Sequence, residues 1–220
     1  MIAVNFKVYK NTFGNGVLEL AKICRKVEEK TKVKIIPIVS AIDARMIKEK
    51  IGGEVWIQNS DEFFEGPVSG SISPLQAKAA GIDGTLLNHS ECRKKPGTIK
   101  KMLAMWPSDF KVTMCLTSLG QAKKWAKGVK VDYIAYEPKN LIGNKDKSVA
   151  SEKPEVIKKM VDLFGKTPVL VGAGVHSPED LKISLKLGAK GILISAYIVR
   201  DGNPEVKLME LAKCFISCYN

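Results

Sequence analysis

A chain of 220 residues with 45% hydrophobic and 26% charged residues has the make-up of one globular domain, long enough to bury roughly 70% of the surface its unfolded form exposes. No apolar run approaches the ~20 residues of a membrane helix, and the mildly apolar Met1–Tyr9 segment has no basic leader, so neither a membrane partner nor a secretory signal is expected. The net charge of +12 admits nucleic acid, an anionic substrate or an acidic surface as partner.

The kind of basic residue decides between these. Of 35 lysines and arginines only Arg25, Arg45, Arg93 and Arg200 are arginine, the side chain whose planar fork reads bases and phosphates bidentately. The lysines recur along helical segments, as at Lys22, Lys26 and Lys30 and at Lys123, Lys124, Lys127 and Lys130. Solvated helix faces explain them, and nucleic acid is not the expected partner.

In chain order, short β-branched runs alternate eight times with amphipathic segments, and no shift in composition marks a second domain. A strand over Ile2–Lys7 is followed by a helix over Val17–Lys30, with Val17, Leu20, Ala21, Cys24 and Val27 on one stripe. The next strand, Lys34–Ser40, is almost continuously apolar, as a strand buried on both faces must be. Strands then follow at Glu54–Asn59, Gly84–Asn88, Phe110–Leu116, Asp132–Glu137, Pro168–Gly172 and Gly191–Ala196. Ser177-Pro178-Glu179-Asp180 carries an N-cap, a first-turn proline and two acids at the positive end of a helix, which Gly188 closes. Eight such units predict an α/β chain of the (β/α)8-barrel class spanning residues 1–220, with a doubly wound open sheet as the alternative.

Five scattered cysteines, Cys24, Cys92, Cys115, Cys214 and Cys218, read as reduced thiols of a cytoplasmic protein. Cys214 and Cys218 share a helix face but have no histidine beside them, so no metal site is expected.

A parallel barrel carries its chemistry at the C-terminal ends of its strands. Five clusters fall there: Asn5-Phe6-Lys7, Asn88-His89-Ser90-Glu91, Glu137-Pro138, Gly172-Ala173-Gly174-Val175 and Ser195-Ala196-Tyr197. Singly, each has a plain explanation. Lys7 could be a solvated charge, His89 a satisfied core histidine, and Gly172-Ala173-Gly174 an ordinary turn. Glu137 is harder to explain away, because it follows the apolar run Tyr133-Ile134-Ala135-Tyr136. Desolvation raises a carboxyl pKa and makes a better base near neutrality.

Taken in order, Asn5-Phe6-Lys7, Asn88-His89-Ser90-Glu91, Ala135-Tyr136-Glu137-Pro138 with Leu141-Ile142-Gly143, and Gly172-Ala173-Gly174 resemble the triosephosphate isomerase family over essentially the whole chain. The short segments between the motifs are similar to its archaeal branch. The resemblance implies that Glu137 moves a proton between adjacent carbons of dihydroxyacetone phosphate and glyceraldehyde 3-phosphate. His89 would polarise the carbonyl as a neutral electrophile near the start of a short helix at Ser90-Glu91, and Lys7 would stabilise the enediolate. Asn5 and Phe6 would help to orient the substrate, and Glu91 would support the site from behind. Backbone N–H groups at Gly174 and Val175, after the eighth strand at Ser195, Ala196 and Tyr197, and at Gly143 would grip the phosphate, with Gly172 and Ile142 also among the binding residues. The stretch from Pro138 to Lys153 would cover the site and protect the intermediate from water. No metal or organic cofactor is implied.

Some residues depart from the family pattern. Many relatives have a serine and a glycine where this chain has Ala196 and Tyr197, and Tyr197 is expected to crowd the phosphate or restrict the backbone. One lost hydrogen bond to a charged group is worth about 1.5–3 kcal/mol. Lys139-Asn140 and Asn144-Lys145 also replace the family's usual hinge and glycine-rich tip. A repurposed barrel acting on another phosphorylated metabolite is therefore the alternative to an active isomerase. The loop Glu65-Gly66-Pro67-Val68-Ser69-Gly70 is similar to the family's interface loop, which implies a homodimer or homotetramer.

Overall fold

The computed structural model describes residues 1–125, 128–141 and 147–218. In chain order these form β1 (Ile2–Asn5), α1 (Asn15–Thr31), β2 (Ile35–Val39), α2 (Ala41–Ile51), β3 (Trp56–Ile57), α3 (Pro74–Ala79), β4 (Gly84–Leu87), α4 (Pro96–Ala104) and β5 (Lys111–Leu116). There follow α5 (Leu119–Trp125), β6 (Tyr133–Tyr136), α6 (Val149–Glu152), α7 (Pro154–Phe164), β7 (Val169–Val171), α8 (Pro178–Lys186), β8 (Gly191–Ile194), α9 (Ala196–Val199) and α10 (Pro204–Ser217). Each strand pairs in parallel with the next, and β8 closes on β1, Val4 opposite Ile194. The closed ring rules out the open doubly wound sheet.

Helices line the outside because their stripes match the outer face of the strands. In α1 the buried residues are the predicted five, Val17, Leu20, Ala21, Cys24 and Val27. Ser177 caps α8 by accepting the Asp180 N–H, Pro178 stands in the first turn, and Gly188 takes φ +96 just beyond the end.

The strands are shorter than their sequence patterns. The first stops at Asn5 because Lys7 turns to φ 52, and the fourth stops at Leu87 because Asn88 takes φ 61. The eighth ends at Ile194, and Ala196 opens the short helix α9 instead of extending the strand. The expected helix at Ser90-Glu91 is a single turn, closed by Cys92 N–H to His89 O at 2.9 Å, and the following helix begins at Pro96.

Two cores fill the barrel. The inner one holds Ala3, Ile36, Ile38, Trp56, Leu86, Cys115, Ala135, Leu170 and Leu193, and the outer one packs strands against helices. Alternation along each strand separates them: on β1, Ala3 faces in, while Ile2 and Val4 face the helices.

Charged groups tie the N-terminal ends of the strands together. Glu54 accepts the Trp56 indole N–H at 2.9 Å and pairs with Lys34 at 2.6 Å and Lys111 at 3.0 Å. Asp83 accepts the Val55 N–H, and Asp132 the Val112 N–H, both at 2.8 Å. Burial pushes the Glu54 carboxyl up, but the hydrogen bonds and charges of Lys34 and Lys111 outweigh it and hold the group below its ordinary value. A depressed carboxyl contributes stability that is complete above its unfolded value, about 4.3, and is lost as pH falls through the lower folded value. Glu54→Gln is therefore expected to flatten the acid limb of stability against pH, read as urea midpoints between about pH 5 and pH 3. A variant whose midpoints keep the parent's slope there would remove this cluster from the acid response.

Candidate active site

The alternation that fills the barrel also builds its C-terminal mouth. Asn5, Asn88, Glu137, Gly172 and Ser195 stand two residues beyond the inner-core side chains Ala3, Leu86, Ala135, Leu170 and Leu193. Asn5, Glu137 and Ser195 line the mouth where the hydrophobic filling ends, Gly172 leaves it open, and Asn88 turns back onto the ladder. A cavity of about 540 Å³ opens there. Its walls include Asn5, Lys7, His89, Glu137, Gly172, Gly174, Val175, Ser195, Ala196 and Tyr197, all of them expected from the sequence.

Glu137 is 3% exposed. Its Oε1 lies 3.3 Å from His89 Nε2, and its Oε2 is buried without a hydrogen-bond partner among the described residues. An ionised carboxylate has about four acceptor positions, so this oxygen is open to a proton from a guest. Gly172 makes the space: a Cβ there would lie 2.6 Å from Glu137 Cγ. Behind it the Cys115 thiol is fully buried. Burial first, then the adjacent Glu137 carboxylate, pushes that thiol well above its ordinary value, so it stays protonated against the carboxylate.

His89 is 6% exposed, and its Nδ1 accepts the Glu91 backbone N–H at 3.3 Å. The ring can accept at Nδ1 only while the proton sits on Nε2, the nitrogen that faces Glu137. Asn88 holds this corner, donating from Nδ2 to Cys115 O at 3.0 Å and accepting the Lys94 N–H at 3.2 Å.

Lys7 is held in a left-handed conformation that a side chain seldom adopts. Asn5 Oδ1 accepts its N–H at 3.0 Å, and its carbonyl accepts from Gln58 Nε2 at 3.0 Å and Thr12 Oγ1 at 3.3 Å. Its ammonium pairs with Glu91 Oε1 at 2.7 Å. Glu91, 57% exposed at its side chain, is not among the residues lining this cavity and steers both Lys7 and His89.

Beyond β7 and β8, the turn Gly172–Ser177 and the start of α9 present backbone N–H groups. Those of Gly174 and Val175 have no partner among the described residues. The first N–H groups of a helix, here Ala196 and Tyr197, have no intrahelical acceptor.

Three expectations need correction or limits. Phe6, 1% exposed, belongs to the outer core and does not line the cavity, since it is not on the inward phase at the mouth. Tyr197 lines the wall without crowding it. Its backbone is helical, and its ring packs on the outer core with Lys207 Nζ 4.8 Å from its centre. Ile142 and Gly143, expected at the phosphate, lie outside the described residues. Sequence reading missed Gln58, Cys115, His176 and Arg200. Both histidines of the chain, His89 and His176, line one cavity. Gln58 and Cys115 carry a usable signal, the inward phase of a strand.

The sequence model of the family described as Triosephosphate isomerase matches residues 1–203. Curated relatives of that name are similar throughout. The protein of Thermoplasma volcanium is 36% identical over 96% of this chain and 99% of its own length. That of Methanothermus fervidus is 34% identical over 96% of each, and that of Methanocaldococcus jannaschii 34% over 97% and 99%.

The contact at Nδ1 has a direct spectroscopic consequence. Nitrogen NMR of His89 is expected to give the Nε2–H form for the neutral ring; an Nδ1–H signature would contradict the backbone contact from Glu91.

Proposed function

The chain belongs to the triosephosphate isomerase family, and on that premise we propose that it interconverts dihydroxyacetone phosphate and D-glyceraldehyde 3-phosphate as one catalytic domain in the cytoplasm. The observation that carries this reading is the buried Glu137 carboxylate, one oxygen beside His89 Nε2 and the other without a partner among the described residues.

Glu137 takes a proton from the carbon next to the carbonyl. As the carbonyl oxygen gains negative charge, His89 Nε2–H donates to it and the Lys7 ammonium lies near enough to share that charge. Such fixed donors contribute most where charge develops in a dry site. The proton of the substrate's hydroxyl oxygen passes through His89 Nε2 to the former carbonyl oxygen, and Glu137 returns its own proton to the neighbouring carbon, so electrons and protons balance within one substrate. Asn5 holds Lys7 in place, and Glu91 orients both Lys7 and His89. The phosphate is met by N–H groups of Gly174, Val175, Ala196 and Tyr197. This chemistry needs no metal or organic cofactor. Lys7 and Arg200 at the cavity add positive charge that attracts a phosphorylated substrate.

Purified protein is expected to turn over glyceraldehyde 3-phosphate, and Glu137→Gln to lower kcat by roughly 10²- to 10⁴-fold. Undiminished turnover in the variant would take the base role from Glu137. A folded wild type without turnover would sink the isomerase and favour the repurposed barrel.

A homo-oligomer, dimer or tetramer, belongs to the same reading. Phe63 and Val68, 44% and 40% exposed, sit on a loop closed by Asp61 N–H to Ile72 O at 2.8 Å and Ile72 N–H to Asp61 Oδ2 at 2.9 Å. Val8 and Phe13, 77% and 54% exposed, flank the Lys7 turn. Apolar side chains held out on ordered loops suit a second copy. Light scattering at micromolar concentration should give a multiple of the chain mass; a single-chain mass would overturn this.

A further inference from the structure

The turn Gly172–Ser177 grips with backbone alone, so its aim depends on what holds it from outside. One carboxylate does most of this. Asp180 Oδ2 accepts the His176 backbone N–H at 3.0 Å and the Ser177 hydroxyl at 2.9 Å. The Ser148 hydroxyl donates to the other oxygen, Oδ1, at 2.5 Å. Ser148 is buried and begins α6, 32 residues earlier in the chain, on the far side of the loop that leaves Glu137. Two backbone features reinforce the join. Val149 N–H reaches Ala173 O at 3.4 Å, and Gly174, at φ +67, leaves room for the Lys147 carbonyl, which a Cβ would strike.

We propose that Asp180 and Ser148 are positioning residues for the substrate's phosphate. Their bond fixes the turn against the chain returning from Glu137 and so aims the Gly174 and Val175 N–H groups. This rests on the isomerase reading for the identity of the phosphate. Hydrogen bonds to an ionised carboxylate are short and roughly twice as strong as neutral ones. A carboxylate in the first turn of α8 is also favoured by the helix dipole. Neither side chain lines the cavity, so neither touches the ligand directly.

Ser148 has a second task that the test must separate. Its hydroxyl accepts the Ser151 N–H at 2.9 Å and caps α6, so Ser148→Ala lowers thermal stability whatever its effect on phosphate. The discriminating readouts are KM for glyceraldehyde 3-phosphate and the competitive inhibition constant of inorganic phosphate, measured on the full chain. Both are expected to rise together, about three- to tenfold in Ser148→Ala, with kcat within about twofold. Ser148→Thr, which keeps the hydroxyl, should restore them. Combining Ser148→Ala with Asp180→Ala should weaken phosphate no further than Asp180→Ala alone. An unchanged inhibition constant with a lowered melting temperature would leave Ser148 as a helix cap and overturn the proposal. So would a fall in kcat at unchanged inhibition constant. If the wild type turns over no triose phosphate, calorimetry with inorganic phosphate still decides. Weaker binding in Ser148→Ala supports the positioning role while the isomerase reading fails. Equal binding, or none to the wild type, overturns the role as well.

Discussion

Every inward side chain of this barrel is constrained by the two-residue pleat of a closed parallel sheet. With β8 paired to β1 there is no edge at which a strand could slip, and a slip of one residue would exchange the inner and outer faces. The hydrophobic filling of Ala3, Leu86, Ala135, Leu170 and Leu193 therefore determines where Asn5, Asn88, Glu137, Gly172 and Ser195 point. Packing and chemistry are a single register, read at two heights along the axis.

The two ends of the ring use charge in opposite ways. At the N-terminal end, Glu54, Asp83 and Asp132 are answered by lysines or neighbouring backbone N–H groups, and charge there holds strands together. At the C-terminal end, Glu137 Oε2 is left unanswered among the described residues. A buried acceptor without a partner costs stability, on the order of 1–3 kcal/mol. The rigid ladder below tolerates this, and the penalty falls away when a guest supplies the proton.

Backbone strain marks the C-terminal end as well, in addition to the left-handed cap of α1 at Lys32. Lys7 and Asn88 both take left-handed conformations where β1 and β4 end, and both are surrounded by hydrogen bonds that leave no alternative. The turns redirect the chain just beyond the last paired residue. They bring an ammonium and an imidazole to the axis that a continued strand would have carried upward. Glycine performs the converse task at Gly172 and Gly174, where the missing Cβ admits Glu137 and the segment before α6.

By itself the sequence determined the eightfold alternation, the apolar stripe of α1, the Ser177 cap and the identity of the charged residues at the strand ends. These depend on neighbours a few residues apart, whose periodicity and capping chemistry are local. Strand alternation puts Phe6 on the side away from Asn5 and Lys7, and only the tertiary structure decided which side became the cavity and which the outer core. It also decided that Tyr197 packs toward Lys207 and that Asp180 joins Ser148 to the Gly172–Ser177 turn. It ended the strands early and reduced the expected helix at Ser90-Glu91 to one turn. The join of Asp180 to Ser148 spans 32 positions along the chain, and the turn at Lys7 rests on Gln58, 51 positions away. Closing the ring brings such residues within hydrogen-bond reach, and no local pattern of residues encodes a distance across it.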